Sequence, residues 1–428
     1  MEKLFKLHER GTTVRKEVVA GITTFLAMAY ILAVNPDMLG ATGMNPHGVF
    51  TATALSAAIA TLVMAFAANL PVALAPGMGL NAFFTYTVVM GMGYSWQVAL
   101  TAVFLEGIVF ILLSFFNVRE AIIKAIPNSL KKAVAVGIGL FIALIGLANA
   151  GVVASDLGTI IGFAPLQGSP LVAVIGLIIT IVLYTLKVPG AILIAILITT
   201  VIGIPFGVTV VPENFNPVSL PSSPIFFAFD FSSVFTLKFF TVFFTFFFVD
   251  IFDTVGTLVG VATQAKLTDK EGNIPNVKQA FLADAIGTVA GAALGTSTVT
   301  SFVESSAGVA AGGRTGLSSV VTAILFLLAL FLTPLFLLIP SAATAPALIF
   351  VGYLMMKSVT GINFEDPVEG IPAFITILVM PFAYSIAEGI VWGVLAYVSL
   401  NVITGRIKKI SVITWILFVI FILRFFLK

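Results

Sequence analysis

Asp250, Asp253 and Thr257 recur at i, i+3 and i+7 within the apolar run FFFVDIFDTVGT, so they share one stripe of a helix amid phenylalanines. Further along, Asp284 lies in a second apolar stretch and Glu304 in a third, SFVESSAGVAAGG. An ionisable group at the centre of a bilayer costs at least ~2.5 kcal/mol, so acids at that depth usually line a pathway or a substrate site. A structural hydrogen-bond network between helices accounts for one such acid taken alone. Two acids on one span, with Asp284 and Glu304 on the next two, favour a site. The basic residues nearest in sequence, Lys238, Lys278 and Arg314, stand at span ends. The acids are then either protonated or paired with something that arrives from outside, and both states suit a cation-coupled carrier.

Ionised carboxylates only accept hydrogen bonds, so a fitting partner is a planar molecule with several N–H donors, held edge-on between aromatic rings. A nucleobase meets that description. An inorganic anion does not, because acids without a buried base repel it. Tyr30, Phe83 and Phe302 are the candidate stacking rings by position. In the first apolar span, Asn35-Pro36-Asp37 reads as a helix terminus and turn, which explains Pro36 and Asp37 but not Asn35 or Thr24. Glu106 is isolated in its span and reads as a structural hydrogen-bonding group.

The elements that must position these residues belong in lipid. The chain has 428 residues, of which 59% are apolar and only 9% charged, and its net charge is +2. His8 and His47 are too few and too far apart for a metal site, there is no cysteine for a disulfide or thiolate chemistry, and no basic footprint for nucleic acid exists. Gly308 to Thr315, GVAAGGRT, matches a phosphate-binding loop with Arg314 in the lysine position, but it ends a membrane span rather than joining a buried strand to a soluble helix. No nucleophile, base and oxyanion constellation appears in any loop. The chain is therefore not read as an enzyme, and no cofactor is expected.

About 20 apolar residues cross a ~30 Å hydrocarbon core as a helix. On that scale the sequence predicts an all-α polytopic membrane protein with fourteen spans: 18–35, 48–68, 72–90, 97–116, 131–149, 170–186, 189–206, 237–262, 278–295, 297–313, 317–338, 343–358, 370–384 and 387–404. The hydrophilic linker 208–236 divides them seven and seven. With the N-terminus (1–16) inside, all of the 21 Lys and Arg residues except Lys238, Arg424 and Lys428 fall on the cytoplasmic side, and the linker carries none. Seven spans per half give the halves opposite orientation, the arrangement of an inverted-repeat transporter. Spans 3 and 10, LPVALAPGMGLNAFF and GTSTVTSFVESSAGVAAGG, are both rich in small or helix-breaking residues and are read as broken helices. The last apolar run, within 406–428, is long enough to cross the membrane or to lie on its inner surface, and the charge rule favours an interfacial helix.

The segments GITTFLAMAYILAVNPDML, APGMGLNAFFTYTVV, FFFVDIFDTVGTLVGVA, ADAIGTVAGAALGTSTVTSFVESSAGVAAGGRTGL and APALIFVG, in this order, resemble the AzgA-like purine permeases of the nucleobase/cation symporter 2 (xanthine/uracil permease) family. The resemblance extends from about Lys6 to Arg406. It implies a 7+7 inverted repeat with a core domain (17–116 and 237–340) and a gate domain (117–207 and 341–405), and short antiparallel strands in segments 3 and 10. By resemblance, Asp253 and Glu304 contact the base. Thr257 stands where pyrimidine-carrying relatives have histidine, and Asp253 where they have glutamate. Gly77, Met78, Ser301 and Phe302 would supply main-chain hydrogen bonds and packing. Asp250 and Asp284 look like further buried acids of a proton-coupling or polar network, and Asn35 and Thr24 are carried over as well. The implied activity is proton-coupled import of purine nucleobases across the cell membrane, hypoxanthine and guanine first and adenine second. A facilitative channel or uniporter, or a carrier of another neutral heterocycle, is the alternative, and a homodimer is left open.

Overall fold

Polar caps set where the helices begin. Thr13, Asn45, Thr236, Thr315, Asp366 and Ser385 each accept a hydrogen bond from a backbone N–H in the first turn that follows. The computed structural model describes residues 2–115, 127–155, 161–268 and 274–426. Arg119, Lys124, Lys270 and Lys428, counted above among the basic residues, lie outside them.

The described elements run α1 (Glu2–Phe5), α2 (Val14–Met28), α3 (Ile31–Gly40), α4 (Pro46–Val63), β1 (Leu74–Pro76), α5 (Met78–Ala82), α6 (Trp96–Phe115), α7 (Asn128–Asn149), β2 (Val153–Ala154), β3 (Gly162–Phe163), α8 (Ser169–Thr185) and α9 (Ala191–Gly203). After the linker come α10 (Leu237–Gln264), α11 (Val277–Leu294), β4 (Val299–Ser301), α12 (Ser305–Ala310), α13 (Gly316–Ala329), α14 (Thr333–Leu337), α15 (Ser341–Met356), α16 (Pro367–Phe382), α17 (Ile386–Ile403) and α18 (Val412–Phe426). Nine described helices are long and apolar enough to cross a membrane, and α8, α9, α16 and part of α18 form shorter apolar helices. The chain is a mostly helical, multi-pass membrane protein.

Two packing groups surround the middle of the bundle. In one, α2 and α4 pack on α13, α4 packs on α11, and α11 packs on α6; in the other, α7 packs on α15 and α16, α16 on α17, and α8 on α9 and α15. Close approach depends on small residues, as in other membrane bundles. A Cβ at Gly139 of α7 would stand 2.8 Å from the Gly352 carbonyl oxygen of α15.

Asn35-Pro36-Asp37 does not end a helix, contrary to the sequence reading. The first span is α2 followed by α3, and α3 continues through Pro36 to Gly40. Buried Asn35 anchors that passage by donating to Thr53 Oγ1 (2.7 Å) and Thr296 Oγ1 (2.8 Å), while Pro36 removes only one N–H. Asp37 accepts from Ser341 Oγ and Thr344 Oγ1, both at 2.8 Å, at the start of α15.

Glu17 closes the charged N-terminal stretch in the sequence, yet it is fully buried. Its carboxylate accepts from the backbone N–H groups of Arg314 (2.8 Å) and Ser318 (3.1 Å), so it supplements the Thr315 cap at the N-terminus of α13. Arg314 returns its guanidinium to the carbonyls of Val309 in α12 and of Gly313 just beyond it. Glu17→Ala strands several buried donors, and we expect it to cost about 1–3 kcal/mol. The check is thermal unfolding in detergent: a clear fall in Tm for Glu17→Ala, with Glu17→Gln recovering part of it.

Candidate functional site

Two short strands cross at the centre of the bundle. β1 and β4 are antiparallel, with Leu74 opposite Ser301, Ala75 opposite Thr300 and Pro76 opposite Val299. They lie in the stretches 72–90 and 297–313 that read as broken helices. The residue after each strand donates to the residue before the other: Gly77 N to Thr298 O (3.0 Å) and Phe302 N to Ala73 O (2.9 Å). A threonine from the preceding helix holds the outer edge of each. Thr61 of α4 accepts from Leu74 N (2.9 Å) and donates to Leu74 O (3.2 Å), and Thr288 of α11 donates to Val299 O (3.0 Å). Ser305 Oγ accepts from Ala73 N at 3.0 Å, and Glu106 of α6 accepts from Thr298 Oγ1 at 2.9 Å. Glu106 is thus a structural acid that pins the entry to β4.

A half-helix follows each strand. α5 starts after Gly77 and continues as a π-helical stretch, Phe83–Gly91; α12 starts after Glu304. Their N-terminal ends, which carry the positive pole of the helix dipole, flank the strand crossing. The acids gather there. A Cβ added at Gly77 would stand 3.6 Å from Asp253 Oδ2 and only 2.5 Å from Thr300 Cγ2. Glu304 Oε1 accepts from Tyr30 Oη at 2.6 Å.

Exposure separates the acids into two kinds. Asp250, Asp284 and Glu106 are fully buried, whereas Asp253 and Glu304 are only partly so. Behind β4, Thr254 Oγ1 lies 2.6 Å from Asp284 Oδ1, 3.4 Å from Asp250 Oδ1 and 2.7 Å from Thr300 Oγ1. Asp250 and Asp284 therefore belong to a buried polar network that supports the strand. On the accessible side, Gly256 and Gly260 of α10 face open space, and Val303 beside Glu304 is half exposed.

The remaining predicted residues fall into place around this frame. Met78 and Phe302 are nearly buried at the mouths of the two half-helices. Strand alternation sets the Ser301 side chain on the face of Val299, which packs against Gly287 and Gly291 of α11, so Ser301 can serve the accessible side only through its main chain. Thr257 lies one turn beyond Asp253 on α10. Thr24 touches Gly308 and so seats α12 against α2. Phe83 is buried edge-to-face on Phe246 of α10, with centroids 4.8 Å apart, which makes it a packing ring. Tyr30 is buried with its hydroxyl on Glu304, so it orients that acid. Sequence reasoning missed Asn81, buried one turn into α5, which accepts from Ser297 Oγ and approaches Pro76 O at 3.4 Å. An asparagine within an otherwise apolar half-helix is the signal that could have found it.

A model of the xanthine/uracil permease type, described as "Permease family", matches residues 15–392. The chain belongs to that family. Similar proteins include the adenine permease AdeP of Escherichia coli (strain K12), 44% identical with 99% of this chain and 95% of that protein covered, and the guanine/hypoxanthine permease PbuG of Bacillus subtilis (strain 168), 46% identical over the whole of both. Among solved structures, the transmembrane domain of the cyanobacterial bicarbonate transporter BicA is similar in fold, with a TM-score of 0.67 and 17% identity over 89% of this chain and 97% of that one. SLC26A9 is similar at a TM-score of 0.64 and 13% identity, covering 91% of this chain and 66% of that one. The chain is a permease and not an enzyme.

Gly77 is the tightest point of the permease's strand crossing. Gly77→Ala forces its methyl into Thr300, and we expect about 1–3 kcal/mol of destabilisation. Thermal unfolding compared with Gly93→Ala, where a methyl meets no neighbour but φ is positive, separates the steric effect from the backbone effect.

Proposed function

We propose that this permease imports purine nucleobases, with hypoxanthine and guanine ahead of adenine, by proton symport and alternating access. The observation that carries the reading is the pair Asp253 and Glu304. They are the partly exposed acids at the meeting point of two half-helix N-termini, suited to accept N–H bonds from the edge of a planar base. The names of the curated relatives, adenine and guanine/hypoxanthine permeases, favour the purine class. The solved fold neighbours are named for anions, but this acid pair disfavours an anionic substrate.

In this reading the base lies between the Gly77–Met78 turn and Phe302, with main-chain groups of both half-helices alongside it. Thr257 borders the pocket, and Tyr30 holds one oxygen of Glu304 so that the other is available. A proton taken up by Asp253 or Glu304 would lower the charge of the pocket when the base is released inward. Thr24 and Asn35 hold the frame, and Asp250 and Asp284 hold β4.

We assign the end of the bundle at Arg406 to the cytoplasm and the end at Asp37 to the outside of the cell membrane, as the distribution of Lys and Arg supports. The core would comprise 17–116 and 237–340, the gate 117–207 and 341–405. The reciprocal hydrogen bonds of β1 and β4, and the matching roles of Thr61 and Thr288, support a seven-plus-seven inverted repeat. At the outer end, core and gate meet through Asp37 with Ser341 and Thr344, through Tyr86 Oη accepting from Asn149 Nδ2 at 2.7 Å, and through the edge-to-face pair Tyr86–Tyr384. With open space beside Gly256 and Gly260, this closure fits an inward-open state. The gate would move against the core to expose the pocket alternately.

The test is uptake of radiolabelled purines into vesicles holding the purified protein, with and without an inward proton gradient. We expect gradient-driven accumulation that uracil does not compete, and its complete loss in Asp253→Asn and Glu304→Gln with membrane insertion unchanged. Equilibration without accumulation identifies a facilitator. Tyr30→Phe frees Glu304 from its fixed position, and we expect KM to rise about tenfold, or ~1.4 kcal/mol, with insertion intact.

A further inference from the structure

The last helix, α18, carries no charged residue between Val412 and Leu423, and the one polar side chain in that stretch, Thr414, is buried. Leu417 and Phe421 are buried, while Val412, Ile416, Val419 and Leu423 form an exposed stripe at i, i+4, i+7 and i+11. A helix lying at a membrane surface turns polar residues to water on one face. The stretch from Val412 to Leu423 has no exposed polar side chain to turn.

Its contacts fix its course. α18 follows the turn Ile407–Lys409, and Arg406 binds Asp366 at the N-terminus of α16, so α18 starts at the Arg406 end of the bundle. The Arg406 hydrogen bond first, and the Val368 N–H second, hold the Asp366 carboxyl below its ordinary range. The pairing is therefore complete at neutral pH and is lost only as pH falls through that lowered value. From this anchor α18 packs along α17. It then reaches the beginning of α10: Ile420 and Phe421 line one crevice with Leu237, Phe240, Thr241 and Phe244, and the rings of Phe421 and Phe244 are 6.2 Å apart. That part of α10 belongs to the opposite end of the bundle. The linker just before it donates from Ile225 N to Leu294 O at the close of α11, and from Asp230 N to Thr101 Oγ1 near the start of α6. The 15 residues of α18 cover about 22 Å at 1.5 Å each, most of a hydrocarbon core of ~30 Å.

We infer that α18 is a further membrane-crossing helix that rides with α17 and forms a sliding lateral contact on the outer half of α10, the helix that carries Asp253. This replaces the inner-surface placement that the charge rule favours. The rule weighs loop charges near span ends, and the two at this end, Arg424 and Lys428, are a small bias beside an apolar stretch held against α10 and α17. Because α10 packs on α6 of the first group and α18 on α17 of the second, the contact joins the two packing groups, so relative motion between them must break or slide the Phe421–Phe244 face. This last step rests on the transport reading above; the topology does not.

The absence of native cysteine makes the test direct. Single cysteines K428C, N214C in the linker and K408C in the turn before α18 are exposed on intact cells to a membrane-impermeant maleimide. We expect K428C to label from outside as N214C does, and K408C to label only after permeabilisation. Labelling of K428C from the same side as K408C overturns the crossing. The pair F244C/F421C is then oxidised in membranes. A disulfide that stops uptake, reversed by reductant, is the expected result. No disulfide, or a disulfide with undiminished uptake, overturns the sliding contact. Absent uptake in the reduced protein refutes the transport reading and leaves the labelling result standing.

Discussion

A strand in the middle of a membrane bundle has no water to satisfy its backbone, and each unmet N–H or C=O there costs several kcal/mol. The permease meets this constraint at β1 and β4 by making each strand the partner of the other and by closing the outer edges with hydroxyls. Thr61, Thr288 and Ser305 take the groups that the strands cannot give to one another. Everything at the site depends on that closure. Because the strands are satisfied, the half-helices can begin inside the bundle, with their N-termini flanking the strand crossing.

Those N-termini also make the acids tolerable. Carboxylates near the positive end of a helix are stabilised by about 0.3–1 kcal/mol at a surface, and by up to ~2 kcal/mol in partly buried geometry. Glu304 is itself the residue preceding α12, and Asp253 lies beside the residue preceding α5. The fully buried acids meet the same requirement through hydroxyls, as Thr254 does for Asp284 and Thr298 for Glu106. The acids thus differ in what surrounds them: Asp253 and Glu304 stay partly exposed, while the buried ones fix the strand and its entry.

Much of this was legible in the sequence, for identifiable reasons. Membrane spans announce themselves by length and hydropathy, and Pro and Gly mark where a span breaks, so the stretches 72–90 and 297–313 stood out. Acids in lipid are rare enough that Asp250, Asp253, Asp284 and Glu304 could be singled out without any structure. Their roles could not be ranked, because exposure is a property of packing, and Asp250 and Asp253 occupy the same helical stripe. Glu17 was hidden for the opposite reason: it closes a charged stretch that looks solvated, and only the chain's return at Arg314–Ser318 buries it. Tyr30 and Phe83 read as stacking rings by position alone, but the partner each one takes, Glu304 or Phe246, lies far away in sequence. Asn35-Pro36-Asp37 misled because Pro is a strong local stop signal, overridden here by long-range hydrogen bonds from Asn35.

The central claim is that Asp253, at the meeting of two half-helices, accepts hydrogen bonds from a purine. Equilibrium binding of radiolabelled hypoxanthine, guanine and adenine to the purified permease, beside Asp253→Asn of matched thermal stability, tests it without any assumption about coupling. The account predicts saturable binding of at least one purine that uracil does not displace, and its loss in the variant. Purine binding of equal strength in both proteins would contradict it.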